Sequence, residues 1–201
     1  MATQPTSTLA EQFRRLRNSI HALNPDGASR VVLFTSAVQG EGKSVAALNL
    51  GLALVEMPHL RVCVVDANRV HPSIEGYMGL EPKPGLSEVL GGAISVDEAV
   101  RPSGQERLDV LGAGADSGSE ALNVDRMRAL LNSLKRNYDY VLIDAAPVLS
   151  STQPSLLATI ADGILLVVRM GSTPKLQVEE AFTMLESLGG NVLGTCATSV
   201  E

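Results

Sequence analysis

The chain has 201 residues, a formal net charge of −6 and two cysteines, a length that buries one substantial core and gives no reason to divide it. The acidic balance excludes the basic field that holds nucleic acid, so nucleic acid is not an expected partner. No stretch reaches the ~18 consecutive apolar residues of a membrane helix, and the polar start over 1–9 lacks the charged-then-apolar order of a secretory signal, so direct membrane insertion is not expected.

In chain order, segment 9–23 reads as a helix before the first strand, outside the main sheet and available to partners. Short apolar, β-branched runs at 31–35, 62–65, 108–111, 141–143, 164–168 and 192–196 read as buried parallel strands. Apolar residues at helical spacing over 44–56, 124–136 and 177–188 alternate with them. The expected fold is therefore α/β: a doubly wound, mostly parallel sheet in a single domain, with ligands at the carboxyl ends of the strands. Segments 81–85 and 112–119 are rich in glycine, proline and small polar residues and read as surface loops. Cys63 and Cys196 both lie in strand-like runs, as buried reduced thiols of a cytoplasmic protein do.

The run Ala37-Val38-Gln39-Gly40-Glu41-Gly42-Lys43-Ser44 follows a buried strand and opens a helix. That context turns a glycine-rich pattern into a phosphate site. Gln39, Gly40, Glu41, Gly42, Lys43, Ser44 and Val45 are the expected cofactor-binding residues. Successive main-chain N–H groups curl around a β-phosphate, the helix start adds partial positive charge, Lys43 reaches the β and γ oxygens, and Ser44 ligates magnesium. Two acidic strand ends complete the site. Asp144 ends the run Tyr140-Val141-Leu142-Ile143 and suits the Walker B role on the magnesium shell. Asp66 ends 62–65 and either holds magnesium or orients the attacking oxygen. Lys43, Asp66 and Asp144 are thus the catalytic candidates, and Ser44, Asp66 and Asp144 the metal set. The chain has no Asn-Lys-x-Asp base reader, and Asp144-Ala145-Ala146-Pro147 lacks the Asp-x-x-Gly switch of regulatory GTPases, which favours ATP with Mg2+ as cofactors.

These motifs resemble the bacterial tyrosine kinase family, P-loop NTPases of the deviant Walker type. The match runs through Thr35-Ser36 to Ser44, Asn49-Leu50, Val64-Val65-Asp66-Ala67-Asn68 to Pro72, Gly85-Leu86-Ser87-Glu88-Val89-Leu90, and Asp139 to Val148. The resemblance implies a cytoplasmic ATP-binding domain that works with a membrane polysaccharide co-polymerase, recruited by it to the inner face of the membrane, in capsule or exopolysaccharide synthesis and export. Glu11, Arg14 and Arg17 reproduce the family's Glu-x-x-Arg-x-x-Arg pattern, which implies a homo-oligomer interface. The spacing keeps these charges on neighbouring turns of one helix, where arginine forks can meet carboxylates. On this reading 1–27 is an oligomerisation helix with its linker, and 28–201 the P-loop ATP-binding domain.

Several family positions have changed. The second carboxylate of the acidic motif is Asn68, Val70 and His71 stand at the usual arginine positions, Thr152-Gln153-Pro154 replaces Thr-Asp-Ala, and Thr198 stands where an asparagine is associated with adenine. The tyrosine-rich tail that the resemblance implies does not fall within these 201 residues. Tyr138 and Tyr140 suit structural roles in or beside a strand, which leaves Tyr77 as an internal acceptor. His21, His59 and His71 show no transition-metal spacing. Three functions stay open: an ATP-dependent tyrosine kinase or ATPase, a nucleotide-binding regulatory module without phosphoryl transfer, and a positioning ATPase of the partitioning group, whose extra lysine is replaced by Val38.

Overall fold

A computed structural model describes residues 8–115 and 122–199. The outer part of the predicted loop 112–119, from 116 on, lies outside the described residues, as do 200–201.

Among the described residues seven strands form one sheet in the order β3-β4-β2-β5-β1-β6-β7. They are β1 (Arg30–Ser36), β2 (Val62–Asp66), β3 (Arg101–Pro102), β4 (Leu108–Leu111), β5 (Tyr140–Asp144), β6 (Gly163–Arg169) and β7 (Val192–Thr198). All pairings are parallel except the two-residue β3 against β4. The apolar runs of the inner strands sit on both sides of the sheet because those strands are covered twice, whereas β7, expected to be buried over 192–196, is an edge strand and only partly covered, with Thr195 exposed. Val31, Leu33, Cys63, Val65, Val141, Ile143, Ile164 and Leu166 face one layer, and Val32, Phe34, Val62, Val64, Leu142, Leu165 and Val167 face the other. This alternation with no polar face is the signature of a strand buried on both sides.

Helices α1 (Thr8–Ala22), α2 (Lys43–Val55) and the one-turn α3 (Ile74–Tyr77) lie on the second face. On the first lie α4 (Leu86–Gly91), α5 (Val96–Ala99), α6 (Val124–Leu134), α7 (Gln153–Ala158) and α8 (Lys175–Ser187). Helix α1 lies outside the sheet but is packed onto it. Phe13 and Ile20 are buried in the apolar cluster that holds α2 and the sheet. What the helix leaves outward is its charged edge.

Strand order places β1 between β5 and β6, so the chain winds away from β1 in both directions. The crevice at the carboxyl end of such a switch strand is where open α/β sheets bind ligands, and the loop leaving β1 opens there into α2.

Candidate nucleotide site

The loop between β1 and α2 takes its shape from two glycines in the left-handed region, Gly40 at φ 85° and Gly42 at φ 87°. A side chain at either would be strained. A Cβ on Gly42 would also stand 3.4 Å from the Thr198 methyl.

Glu41 braces the loop from behind. Its carboxylate is buried at 2 % exposure and accepts N–H bonds from Val38 at 3.0 Å and Arg169 at 3.1 Å, together with the Thr173 hydroxyl. Its side chain therefore points into the protein, and its main-chain N–H is what it can offer a phosphate. The Thr198 hydroxyl donates to the Glu41 carbonyl at 2.8 Å, which ties the end of β7 to the same loop. Gln39 is exposed, as is Val45 in the first turn of α2.

Lys43 opens α2 with its side chain largely buried. Burial pulls its pKa below the ordinary lysine value, against the opposing attraction of Asp144 and Glu41. Among the described residues it forms no ion pair, which suits a cation meant for an anionic ligand.

Asp66 and Asp144 are in register on adjacent strands. The Asp66 carboxylate accepts main-chain N–H bonds from Asn68 at 3.1 Å, Ser73 at 2.8 Å and Ile74 at 3.0 Å. Burial raises its pKa, the amides of Ile74, Ser73 and Asn68 oppose the rise, and Glu75 adds to it. Asp144 is fully buried and accepts the Ser44 hydroxyl on Oδ2. Its pKa is pushed up to about 7, chiefly by burial; Ser44 and Lys43 act downward and Asp66 upward. Its Oδ1 has no hydrogen-bond partner among the described residues. A buried carboxylate oxygen left this way is costly unless something cationic or hydrated completes it. The Ser44 hydroxyl, the orphaned Asp144 oxygen and the buried Asp66 are hard oxygen donors of the kind magnesium takes, largely through its water shell. The donor set fits the metal.

Asn68 turns its side chain to its own loop, where Oδ1 accepts the His71 N–H at 3.4 Å. Gln153 is the first residue of α7. Tyr77 is exposed at the end of α3, while Tyr140 is buried and the Tyr138 hydroxyl donates to Asp109 at 2.7 Å. Arg14 and Arg17 both grip Glu56, just past the end of α2, each with a contact of 2.9 Å. Arg17 also donates to the Ala53 carbonyl, and Glu11 lies 3.7 Å from Arg14. Glu56, Thr173 and Ser73 were not visible as site residues from the sequence, since each meets its partner through the fold and none belongs to a motif.

Fold, loop and acid pair define a P-loop NTPase. A family profile described as AAA domain matches residues 29–184. The tyrosine-protein kinase YwqD of Bacillus subtilis (strain 168) is 33 % identical over 194 residues, covering 96 % of this chain and 81 % of that protein. The succinoglycan biosynthesis transport protein ExoP of Rhizobium meliloti (strain 1021) is 31 % identical over 98 % of this chain, which spans only 26 % of ExoP. The kinase domain of Escherichia coli tyrosine kinase ETK superposes with TM-score 0.87 at 27 % identity, over 95 % of this chain and 75 % of that one. The chain belongs to the AAA-domain family and, within it, to the bacterial tyrosine kinases.

Proposed function

We propose that this chain binds Mg·ATP and acts as a tyrosine-kinase-type ATPase in exopolysaccharide or capsule biosynthesis and export. The observation that carries the reading is the convergence of Lys43, Ser44, Asp66 and Asp144 at the carboxyl ends of β1, β2 and β5, with one Asp144 oxygen unclaimed. Magnesium would be held by Ser44 and, through its hydration shell, by Asp144 and Asp66, and when bound it would supply charge neutralisation at the phosphate oxygens. The main-chain N–H groups from Gly40 to Ser44 and the Lys43 ammonium bind the β- and γ-phosphates. Phosphoryl transfer needs little covalent help from a protein, so orientation and electrostatic stabilisation by these groups carry the catalysis. Asp66 either adds to the metal shell or positions and deprotonates an acceptor hydroxyl.

The working assembly is a homo-oligomer at the inner face of the membrane, recruited by a polysaccharide co-polymerase. ExoP supports this placement, since this chain's counterpart there is one quarter of a longer transport protein. Among the described residues no helix is long and apolar enough to cross a membrane. Self-association would use the edge of α1 that borders α2, where Glu11 is exposed and Glu56 holds Arg14 and Arg17 in place.

A second reading, a nucleotide-gated regulatory module without transfer, is favoured by Asn68, which supplies no charge where the family carries a carboxylate. Incubation with labelled ATP and a tyrosine-rich peptide separates the two. Transfer that disappears in Lys43→Met supports the kinase. Tight Mg·ATP binding without transfer in wild type, with transfer gained in Asn68→Asp, would falsify it in favour of a module.

A further inference from the structure

Ser73 enters the site from outside every motif named above. It follows Pro72 and precedes α3, and two of its atoms reach opposite sides of the acid pair. Its main-chain N–H donates to Asp66 Oδ2 at 2.8 Å. Its hydroxyl donates to Ser44 Oγ at 2.7 Å, and the Ser44 hydroxyl donates in turn to Asp144. With Asp144 ionised, the state that faces a bound cation, the carboxylate can only accept, and the chain from Ser73 through Ser44 to Asp144 then has one direction.

A serine oxygen carries one proton and two lone pairs. In Ser44 the proton goes to Asp144 and one lone pair to Ser73. The remaining lone pair is then fixed in direction, because two of the three positions around the oxygen are already held. A lone hydroxyl rotates about its Cα–Cβ and Cβ–Oγ bonds; one held from two sides does not, and linked hydrogen bonds of this kind polarise and strengthen each other. We infer that Ser73 is a positioning residue for the divalent cation: its hydroxyl aims the free lone pair of Ser44 at the metal, while its main chain fastens Asp66 beside it. This rests on reading the site as one for a magnesium nucleotide. It adds that the segment from Asp66 to α3 takes part in metal binding through a hydroxyl at its far end as well as through the Asp66 carboxylate.

Ser73→Ala isolates the hydroxyl, since the amide that holds Asp66 is retained. ADP affinity is measured across a range of Mg2+ concentrations and in excess chelator, for wild type, S73A, S73C and S73T. S73A is expected to need about three- to tenfold more Mg2+ for half-maximal ADP binding, the effect of one lost hydrogen bond, with its chelator affinity unchanged and its ligand-free melting temperature lowered by a few degrees at most. S73T restores the wild-type requirement. S73C keeps the side-chain size with a weak donor, falls between the two, and carries the test should alanine loosen the fold. An S73A or S73C protein with the wild-type Mg2+ requirement overturns the inference, as does a loss of equal size with and without Mg2+, or a threonine variant that behaves like alanine. Wild-type protein that binds no ADP at any Mg2+ concentration overturns the nucleotide reading itself, an outcome distinct from all of these.

Discussion

Asp66 and Asp144 stand directly opposite each other at the carboxyl ends of β2 and β5, both of them buried. Both are harder to ionise than in water, and Asp144 is pushed from its ordinary value of 3.8 to about 7. Between those values the folded chain holds a proton on Asp144 that the unfolded chain has released. Stability of the ligand-free protein therefore falls as pH rises through this window, and levels off above it. Asp144→Asn removes the titration. Melting curves of the two proteins should draw together near pH 5 and separate by about pH 8, with the variant the more stable. Curves that stay parallel would show that Asp144 ionises normally.

Lys43 carries the complementary cost. Its ammonium is desolvated in the folded chain, so Lys43→Met is expected to raise the melting temperature of the ligand-free protein by a few degrees while abolishing the further rise that Mg·ADP gives the wild type. Calorimetry with and without ligand reads both effects. A variant that still gains stability from Mg·ADP would remove Lys43 from the phosphate site.

The Glu41 carboxylate satisfies the amides of Val38 and Arg169 and the hydroxyl of Thr173. Glu41→Ala leaves these groups buried without an acceptor, at a cost of about 1–3 kcal/mol in stability. Because the same groups shape the loop, ADP affinity should fall about tenfold or more. Glu41→Gln, which keeps one acceptor oxygen, should lie between. Urea denaturation and ADP titration on the three proteins check this. An alanine variant that loses stability but binds ADP normally would separate the brace from the loop's function.

Glu56 joins α1 to α2 through Arg14 and Arg17, and its pKa is drawn below the ordinary 4.5, first by the Arg14 hydrogen bond against an opposing effect of burial. A carboxylate with a lowered pKa contributes above its ordinary value and loses that contribution as pH falls through the folded value. In Glu56→Gln, amide exchange over 9–22 should be faster than in wild type at pH 7, and the difference should shrink as pH falls below the ordinary carboxylate value. An unchanged exchange pattern would place the hold on α1 in Phe13 and Ile20 alone.

Much of the fold was legible because parallel strands covered on both faces write themselves as unbroken apolar runs. The expected 31–35, 62–65 and 141–143 lie inside β1, β2 and β5. The short elements were not. Helices α3, α5 and α7 span four to six residues, too few for a helical period to show, and β3 is two residues held beside β4 while Arg101 reaches Glu75 and the Glu81 carbonyl. In the site, the loop and both acids could be read from strand-end chemistry. Ser73 could not, since its partner Ser44 is 29 residues away, nor could the tie from Thr198 to Glu41 across 157 residues. Helix α1 precedes the first strand and so reads as lying outside the sheet, while its packing onto the fold rests on two residues spaced seven apart, Phe13 and Ile20, that no motif marks.

Helix α2 has 13 residues and is thus a rod of about 20 Å. One end is the phosphate loop and the other is the carboxylate that grips α1. A helix resists compression along its axis far more than a loop resists bending, so a displacement of the loop along that axis carries the Glu56 anchor with it. Helix α1 therefore travels with the phosphate loop as the far end of a single pushrod.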